Sequence, residues 1–144
     1  MLSNTSKYAI RATIYIALNS NEDQKIGIKK ISEDLDIPSP FLSKILQVLV
    51  KHKLLSSTKG PNGGFGIGKD PNKIFIYEIV NIFDGNDLFE KCLVSMRNCN
   101  ESGIQCPLHN QYEKIRSQLL VMFKEQHIGA LAQEIKRSEK SIII

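Results

Sequence analysis

The chain has 144 residues, with 42% hydrophobic residues, 24% charged residues and a formal net charge of +4. This size predicts one domain with a substantial hydrophobic core. The sequence contains no run of eighteen apolar residues, and its N-terminus lacks the sections of a signal peptide. We therefore expect a cytoplasmic protein that contacts no membrane.

The positive charge is confined to the first half of the chain. Residues 1–70 contain ten Lys and Arg against six Asp and Glu, whereas residues 71–144 contain nine of each. Residues 39–69 contain five lysines and no acidic residue. Such a local excess suits a polyanion, although an ordinary solvated face would look the same if the lysines pointed in unrelated directions.

Apolar spacing predicts three helices in the first half of the chain. They are a helix over residues 7–18 capped by Ser6, a short helix through Ile28, Ile31 and Leu35 that ends before Pro38, and a third over about residues 40–53 capped by Ser39. The third helix is expected to bury Leu42, Ile45, Leu46, Leu49 and Val50.

A β-hairpin is predicted after the third helix, because residues 54–58 and 65–68 flank a turn rich in Gly, Pro and Asn. Three helices followed by a basic hairpin form a winged helix-turn-helix, so the fold is expected to be mainly α with a small β-hairpin wing. In this fold the third helix enters the DNA major groove and the wing approaches the backbone. The predicted DNA contacts are Ser39, Phe41, Ser43, Lys44, Gln47 and Lys51 on the third helix, and Lys59, Gly60, Asn62 and Gly63 in the wing.

The glycine-rich turn does not match a phosphate-binding loop. Such a loop ends in Gly-Lys-Ser or Gly-Lys-Thr and opens a helix, whereas this chain continues as Phe65, Gly66 and Ile67. The sequence also lacks a recognisable catalytic set of a nucleophile and its base, and it lacks the glycine-rich fingerprint of dinucleotide-binding proteins. We therefore expect neither an enzyme nor a small-molecule substrate.

All three cysteines of the chain lie in one polar stretch, as Cys92, Cys99 and Cys106, and His109 follows closely. Thiolates and an imidazole on one flexible loop can surround a soft metal centre. In a reducing compartment, clustered cysteines favour ligands or redox chemistry over a structural disulfide framework. The alternatives are a metal-free thiol switch, a zinc site and cysteines without a shared role.

The second half of the chain is predicted to be helical. We expect a short helix through Ile76 and Phe83 ending near Gly85, a helical turn over residues 88–91, and a last helix over residues 128–135. Between them, one long helix carries a narrow apolar seam that favours pairing with a second copy. The seam residues are Leu108, Tyr112, Ile115, Leu119 and Met122.

These features suggest four segments. Residues 1–84 form the winged helix-turn-helix, residues 85–109 the cysteine loop, residues 110–137 the dimerisation region, and residues 138–144 a tail without an assigned role.

Four motifs resemble the Rrf-type family of bacterial winged-helix regulators. They are SKYAIR at residues 6–11, ISE at residues 31–33, GPNGGF at residues 60–65 and GKD at residues 68–70. The three cysteines and His109 also fall where the family keeps its cluster ligands, and the resemblance extends to about Arg137. It implies a homodimeric repressor of transcription that binds double-stranded DNA under the control of an iron-sulfur cluster.

The resemblance also bears on the cluster type. In some family members three cysteines and a histidine hold a 2Fe-2S cluster, while in others a carboxylate from the first helix of the partner completes a 4Fe-4S site. This chain has Lys7 near that place and no acidic residue before Glu22, which favours His109 as the fourth ligand and a 2Fe-2S cluster. Both cysteine gaps are six residues, where the family commonly has five and sometimes six, and Ser43 replaces an acidic residue that some members carry on the recognition helix.

Overall fold

The computed structural model describes residues 1–99, 103, 105–138 and 141, and in that part of the chain it has seven α-helices and one two-stranded hairpin. The helices are α1 (Asn4–Asn19), α2 (Ile28–Leu35), α3 (Ser39–Lys51), α4 (Ile76–Asp84), α5 (Asp87–Glu90), α6 (His109–Glu125) and α7 (Ile128–Arg137). The strands are β1 (Leu55–Thr58) and β2 (Gly64–Ile67), and a 3-10 turn covers Pro71–Lys73. The predicted fold, mainly α with a small hairpin, is confirmed.

Helix α1 is the centre of the molecule and packs against α2, α3, α4, α7 and β2. It begins earlier than predicted because Ser3, and not Ser6, is its N-cap: the Ser3 hydroxyl accepts the Ser6 N–H at 3.1 Å. Ser6 is fully buried instead. The Ser3 N–H donates to Asp84 at 2.9 Å, so the start of α1 is fastened to the end of α4.

Helices α2 and α3 form the helix-turn-helix. Asp36, in the left-handed region with φ of 52°, ends α2. Ser39 is the first helical residue of α3 and Pro38 holds the cap position, so the prediction of Ser39 as cap was wrong. The helix also ends two residues early, because Lys53 turns into the left-handed region at φ of 63°.

The inward face of α3 is confirmed: Leu42, Ile45, Leu46 and Leu49 are buried and Val50 is half-buried. Burying one such aliphatic side chain contributes about 1.5–3 kcal/mol. This face therefore fixes α3 against α1 and leaves its other face to solvent.

The second half of the chain packs back onto the first. Phe123 of α6 and Ile128 of α7 belong to the same core cluster as Ile16 of α1 and Ile79 of α4. The His127 Nδ1 accepts the Ala130 N–H at 3.0 Å and caps α7. The division into a DNA-binding part, a cysteine loop and a dimerisation part stays a prediction, and most of the tail 138–144 lies outside the described residues.

Within the described residues, none of the helices has the length and apolar character needed to cross a bilayer.

A hydrogen bond between Tyr15 and Asp34 joins α1 to α2, and we expect it to make the stability of the fold depend on pH. The Tyr15 hydroxyl donates to Asp34 at 2.5 Å, and this bond, with Lys30 at 2.9 Å, holds the pKa of the Asp34 carboxyl below its ordinary value. A depressed folded-state pKa stabilises the fold above the unfolded pKa, and that contribution is lost as the pH falls through the folded value.

We expect Tyr15→Phe to lower the free energy of unfolding at neutral pH and to lose less stability than the native chain on acidification. The measurement is urea unfolding at about pH 6 and about pH 3. An equal loss of stability on acidification in the two proteins would contradict the assigned role of the hydrogen bond between Tyr15 and Asp34.

Candidate DNA interface and cysteine pocket

The outward face of α3 carries the predicted DNA contacts. The structure leaves Phe41, Lys44, Gln47 and Lys51 exposed, with Ser39 and Ser43 half-buried. The Gln47 amide donates to the Ser43 hydroxyl at 3.3 Å, so these two polar side chains lie side by side. One helix face thus presents two cations, an amide and a hydroxyl.

Phe41 is only partly free for a ligand. Its ring meets the edge of Tyr8 of α1 with centroids 5.7 Å apart, and it is 40% exposed. Arg11 lies over the Tyr8 ring at 5.8 Å and donates to the Leu35 carbonyl at 2.9 Å. Sequence reasoning missed Arg11, which ties α1 to the last turn of α2 and so steadies the start of α3.

The wing, defined as residues 55–67, projects beside α3. Its strands are antiparallel, with Leu55 opposite Ile67 and Thr58 opposite Gly64. Lys59, Gly60 and Asn62 at its tip are exposed and Gly63 is half-buried.

The wing turn depends on glycine. The Gly63 N–H donates to the Gly60 carbonyl at 2.9 Å to close the turn. At Gly64, where φ is 148°, a Cβ would lie 2.4 Å from the Ile26 carbonyl oxygen. Glycine is therefore required where β2 pairs with the loop before α2.

Lys25 supports the base of the wing and was also missed from the sequence. Its ammonium donates to the Ser56 hydroxyl at 2.9 Å, and a Cβ at Gly66 would lie 2.7 Å from its side chain. Its neighbour Ile26 forms a bridge with Phe65 through N–H to carbonyl bonds of 2.9 and 2.8 Å. The wing is thus held by the chain before α2 as well as by its own two strands.

The three cysteines and His109 line one pocket of about 450 Å³, the cysteine pocket. The segments that carry Cys92 and Cys99 are held together by an antiparallel bridge between Lys91 and Asn98. In it the Cys92 N–H donates to the Arg97 carbonyl and the Cys99 N–H to the Glu90 carbonyl, both at 3.0 Å. The carbonyl of Cys106 accepts the His109 N–H at 2.9 Å, so the last two donors flank the start of α6.

Hydrogen bonding makes two of the thiols unequal. Backbone N–H groups of Val94 and Ser95, followed by the Cys106 side chain, lower the pKa of Cys92 to about 7. The hydrogen bond to Cys92 and burial raise the pKa of Cys106. Cys92 is therefore the more acidic thiol of this pair and Cys106 the less acidic one.

The pocket offers three thiols and an imidazole, donors that are chemically able to hold an iron-sulfur cluster. Among residues 1–99, 103, 105–138 and 141, however, no three His, Cys, Asp or Glu side chains are close enough together to hold a metal ion. All three thiols are free and half-buried. The chemistry of the four donors fits a cluster, and closing them on one centre requires the loop to move.

The apolar seam of α6 is divided between two surroundings. Leu108, Ile115 and Met122 are 40%, 63% and 48% exposed, and because they are seven residues apart they form one line along the helix. Leu119 packs against the core, and Tyr112 is half-buried under the Arg116 guanidinium at 5.5 Å. Of the five seam residues, Leu108, Ile115 and Met122 are therefore the ones left for a partner. We name these three residues the α6 line.

Comparisons with known proteins identify the class of molecule. The Rrf2 family profile, described as an iron-dependent transcriptional regulator, matches residues 2–134. A protein of Aquifex aeolicus (strain VF5), provisionally named an HTH-type transcriptional regulator, is 36% identical over 125 residues, which are 86% of this chain and 85% of the relative. The HTH-type transcriptional regulator IscR of Klebsiella pneumoniae (strain 342) is 29% identical over 136 residues, covering 93% and 82%.

Two solved structures share the fold. The B. subtilis global cysteine regulator CymR superposes with a TM-score of 0.77 at 18% identity, covering 93% of this chain and 97% of that one. IscR of T. potens gives 0.74 at 18% identity, covering 98% and 92%. The expectation of a regulator rather than an enzyme is confirmed by the family and its relatives. The chain belongs to the Rrf2 family of transcriptional regulators.

Proposed function

We propose that this protein is a homodimeric repressor of transcription in the cytoplasm, and that an iron-sulfur cluster held by Cys92, Cys99, Cys106 and His109 controls its affinity for DNA. The observation that carries the proposal is that these four residues line the same pocket, the cysteine pocket, at the start of α6. The family description as iron-dependent supports it.

Double-stranded DNA is the partner that the first half of the chain fits. The exposed face of α3 and the wing tip carry Lys44, Lys51 and Lys59, and phosphate contacts from such lysines supply affinity without reading sequence. Ser43 precedes Lys44 and Gln47 lies between Lys44 and Lys51, so a hydroxyl and an amide next to these lysines can meet base edges. The chain thereby combines positioning contacts with a short stretch able to discriminate bases.

We propose a 2Fe-2S cluster with His109 as the fourth ligand. A cluster of this kind supplies a redox-active centre that nitric oxide or oxidants can destroy. His109 is the first residue of α6, and the Cys106 carbonyl accepts a hydrogen bond from the His109 N–H. Ligation at these two residues therefore orders the loop against α6. Because α6 carries the exposed line Leu108, Ile115 and Met122, loop order is coupled to the relative placement of the two recognition helices.

The test is an anaerobic absorption spectrum with iron and acid-labile sulfide analysis, for the native protein, His109→Ala and the control His52→Ala. His52 is exposed at the end of α3. We expect visible charge-transfer bands in the native and control proteins, and bands that shift or disappear in His109→Ala. A colourless, iron-free native protein would overturn the cluster.

The hydrogen bond between Cys92 and Cys106 favours a second candidate, a thiol switch without metal. Hydrogen peroxide would oxidise one thiol to a sulfenic acid with release of water, and the second thiol would displace a further water to form the disulfide. Iron-free protein would then change its DNA affinity after peroxide, and dithiothreitol would reverse the change. Cys92→Ser would abolish the response.

A further inference from the structure

We propose that Arg116 is a positioning residue for the cysteine pocket. Its guanidinium contacts the loop at Cys99 and at the carbonyl of Lys91, directly before Cys92, and it places a positive charge next to the ligands. The inference rests on the proposed cluster function. It assigns a role to a side chain that neither the cysteine spacing nor the family motifs single out.

The burial of Arg116 first marks it as unusual. Only 6% of it is exposed, and a buried guanidinium is strongly destabilising unless it is paired. Its partners come from two directions. Glu113, one turn earlier on α6, forms an ion pair with it, and the Tyr112 ring lies 5.5 Å from it.

The remaining partners of Arg116 belong to the cysteine loop. Its Nη1 donates to the Lys91 carbonyl at 3.3 Å, directly before Cys92. Its side chain also interacts with the Cys99 thiol: burial disfavours the charged guanidinium, but this interaction and the one with Glu113 favour it and raise the pKa of Arg116. One guanidinium of α6 therefore acts on the loop beside two of the three cysteines, and its planar fork allows both contacts at once.

The charge of Arg116 matters as well as its bonds. Three cysteines bound to iron are thiolates, so they add negative charge next to the guanidinium. Glu113 neutralises only part of the positive charge of Arg116, because its side chain is 43% exposed and solvent screens it. Removing the positive charge should therefore disfavour the more negative, reduced state of any cluster in the pocket, and removing Glu113 should favour it.

The experiment compares Arg116→Gln, Arg116→Lys and Glu113→Gln with the native holoprotein, using Lys114→Gln as control. Lys114 is exposed on the same helix and its substitution removes one positive charge. Two quantities are measured anaerobically: the midpoint potential in a mediated dithionite titration, and the rate at which an iron chelator bleaches the visible bands.

We expect Arg116→Gln to shift the potential to more negative values and to lose iron about tenfold faster, the lower end of what loss of a supporting hydrogen bond costs a metal site. Arg116→Lys should restore the potential but only part of the retention, because it keeps the charge and loses the fork. Glu113→Gln should shift the potential to more positive values, and it provides the test if Arg116→Gln fails to fold.

Suppose that the native protein is coloured. The inference alone would be overturned if Arg116→Gln changed neither the midpoint potential nor the bleaching rate. If Arg116→Gln cannot be obtained, an unchanged potential in Glu113→Gln would overturn it. An equal shift in Lys114→Gln would also overturn it, since the effect would then be one of net charge. A colourless native protein would overturn the cluster and the inference together.

Discussion

Reversing the charge at Lys44 or Lys59 is expected to weaken binding to duplex DNA by about tenfold or more at moderate salt. Both side chains are exposed, one on the outward face of α3 and the other at the wing tip. Each lysine that binds a phosphate releases a counterion, so the slope of log affinity against log salt should fall by about one for each phosphate that is no longer neutralised. The measurement is fluorescence anisotropy on a labelled random-sequence duplex of roughly 30 base pairs, long enough for two half-sites.

Lys136→Glu is the matched control for net charge. Lys136 is exposed on α7, away from α3 and the wing in sequence, and its reversal changes the net charge by the same amount. Its salt slope should stay at the native value. If Lys44→Glu and Lys59→Glu keep the native slope as well, the placement of DNA against α3 and the wing is refuted.

The helix-turn-helix and the wing were predictable from sequence because their signals are local. Apolar residues spaced along α3 identified its buried face, and the glycine-rich turn located both strands of the hairpin to within one residue at each end. The errors lie at helix ends. Ser3 and Ser6 are equally good caps by residue type, and the choice of Ser3 depends on Asp84, which is distant in sequence.

The cysteine pocket was predictable in composition but not in arrangement. Spacing brought three thiols and His109 into one region, whereas the pairing of Cys92 with Cys106 depends on the backbone path. Arg116 left a signal that could have been used. It lies on the same helix face as Tyr112 and Leu119, where a charged residue in an otherwise apolar stripe indicates a buried partner.

The seam of α6 shows why periodicity alone could not separate the core from an interface. A spacing of three and four residues places all five seam residues within one stripe. Which edge of the stripe meets the chain's own core depends on α4 and α5, which pack against α6. The structure assigns Leu119 to that core and leaves the α6 line exposed.

Substituting Ile115 with glutamate is expected to convert a dimer into folded monomers. Ile115 is the most exposed member of the α6 line, at 63%, and two-fold symmetry would introduce the substitution twice at one interface. The dimer can bury at most the exposed 63% of each isoleucine, so losing that burial costs about 2–4 kcal/mol. This raises the dimer dissociation constant by roughly thirtyfold or more. Sedimentation velocity over a range of concentrations measures this change, and circular dichroism verifies that the monomer is folded.

Val121→Glu provides the matched control. Val121 is 52% exposed on the same helix, but it lies about 120° around the axis from Ile115, so the same exchange there should leave the dimer intact. DNA affinity should fall with Ile115→Glu alone, because a monomer binds one half-site and forgoes the gain of binding two at once. If Val121→Glu dissociates the protein while Ile115→Glu does not, the partner packs on the side of α6 that carries Val121. The state of the cysteine pocket would then have to affect the recognition helices through a part of the protein other than the α6 line.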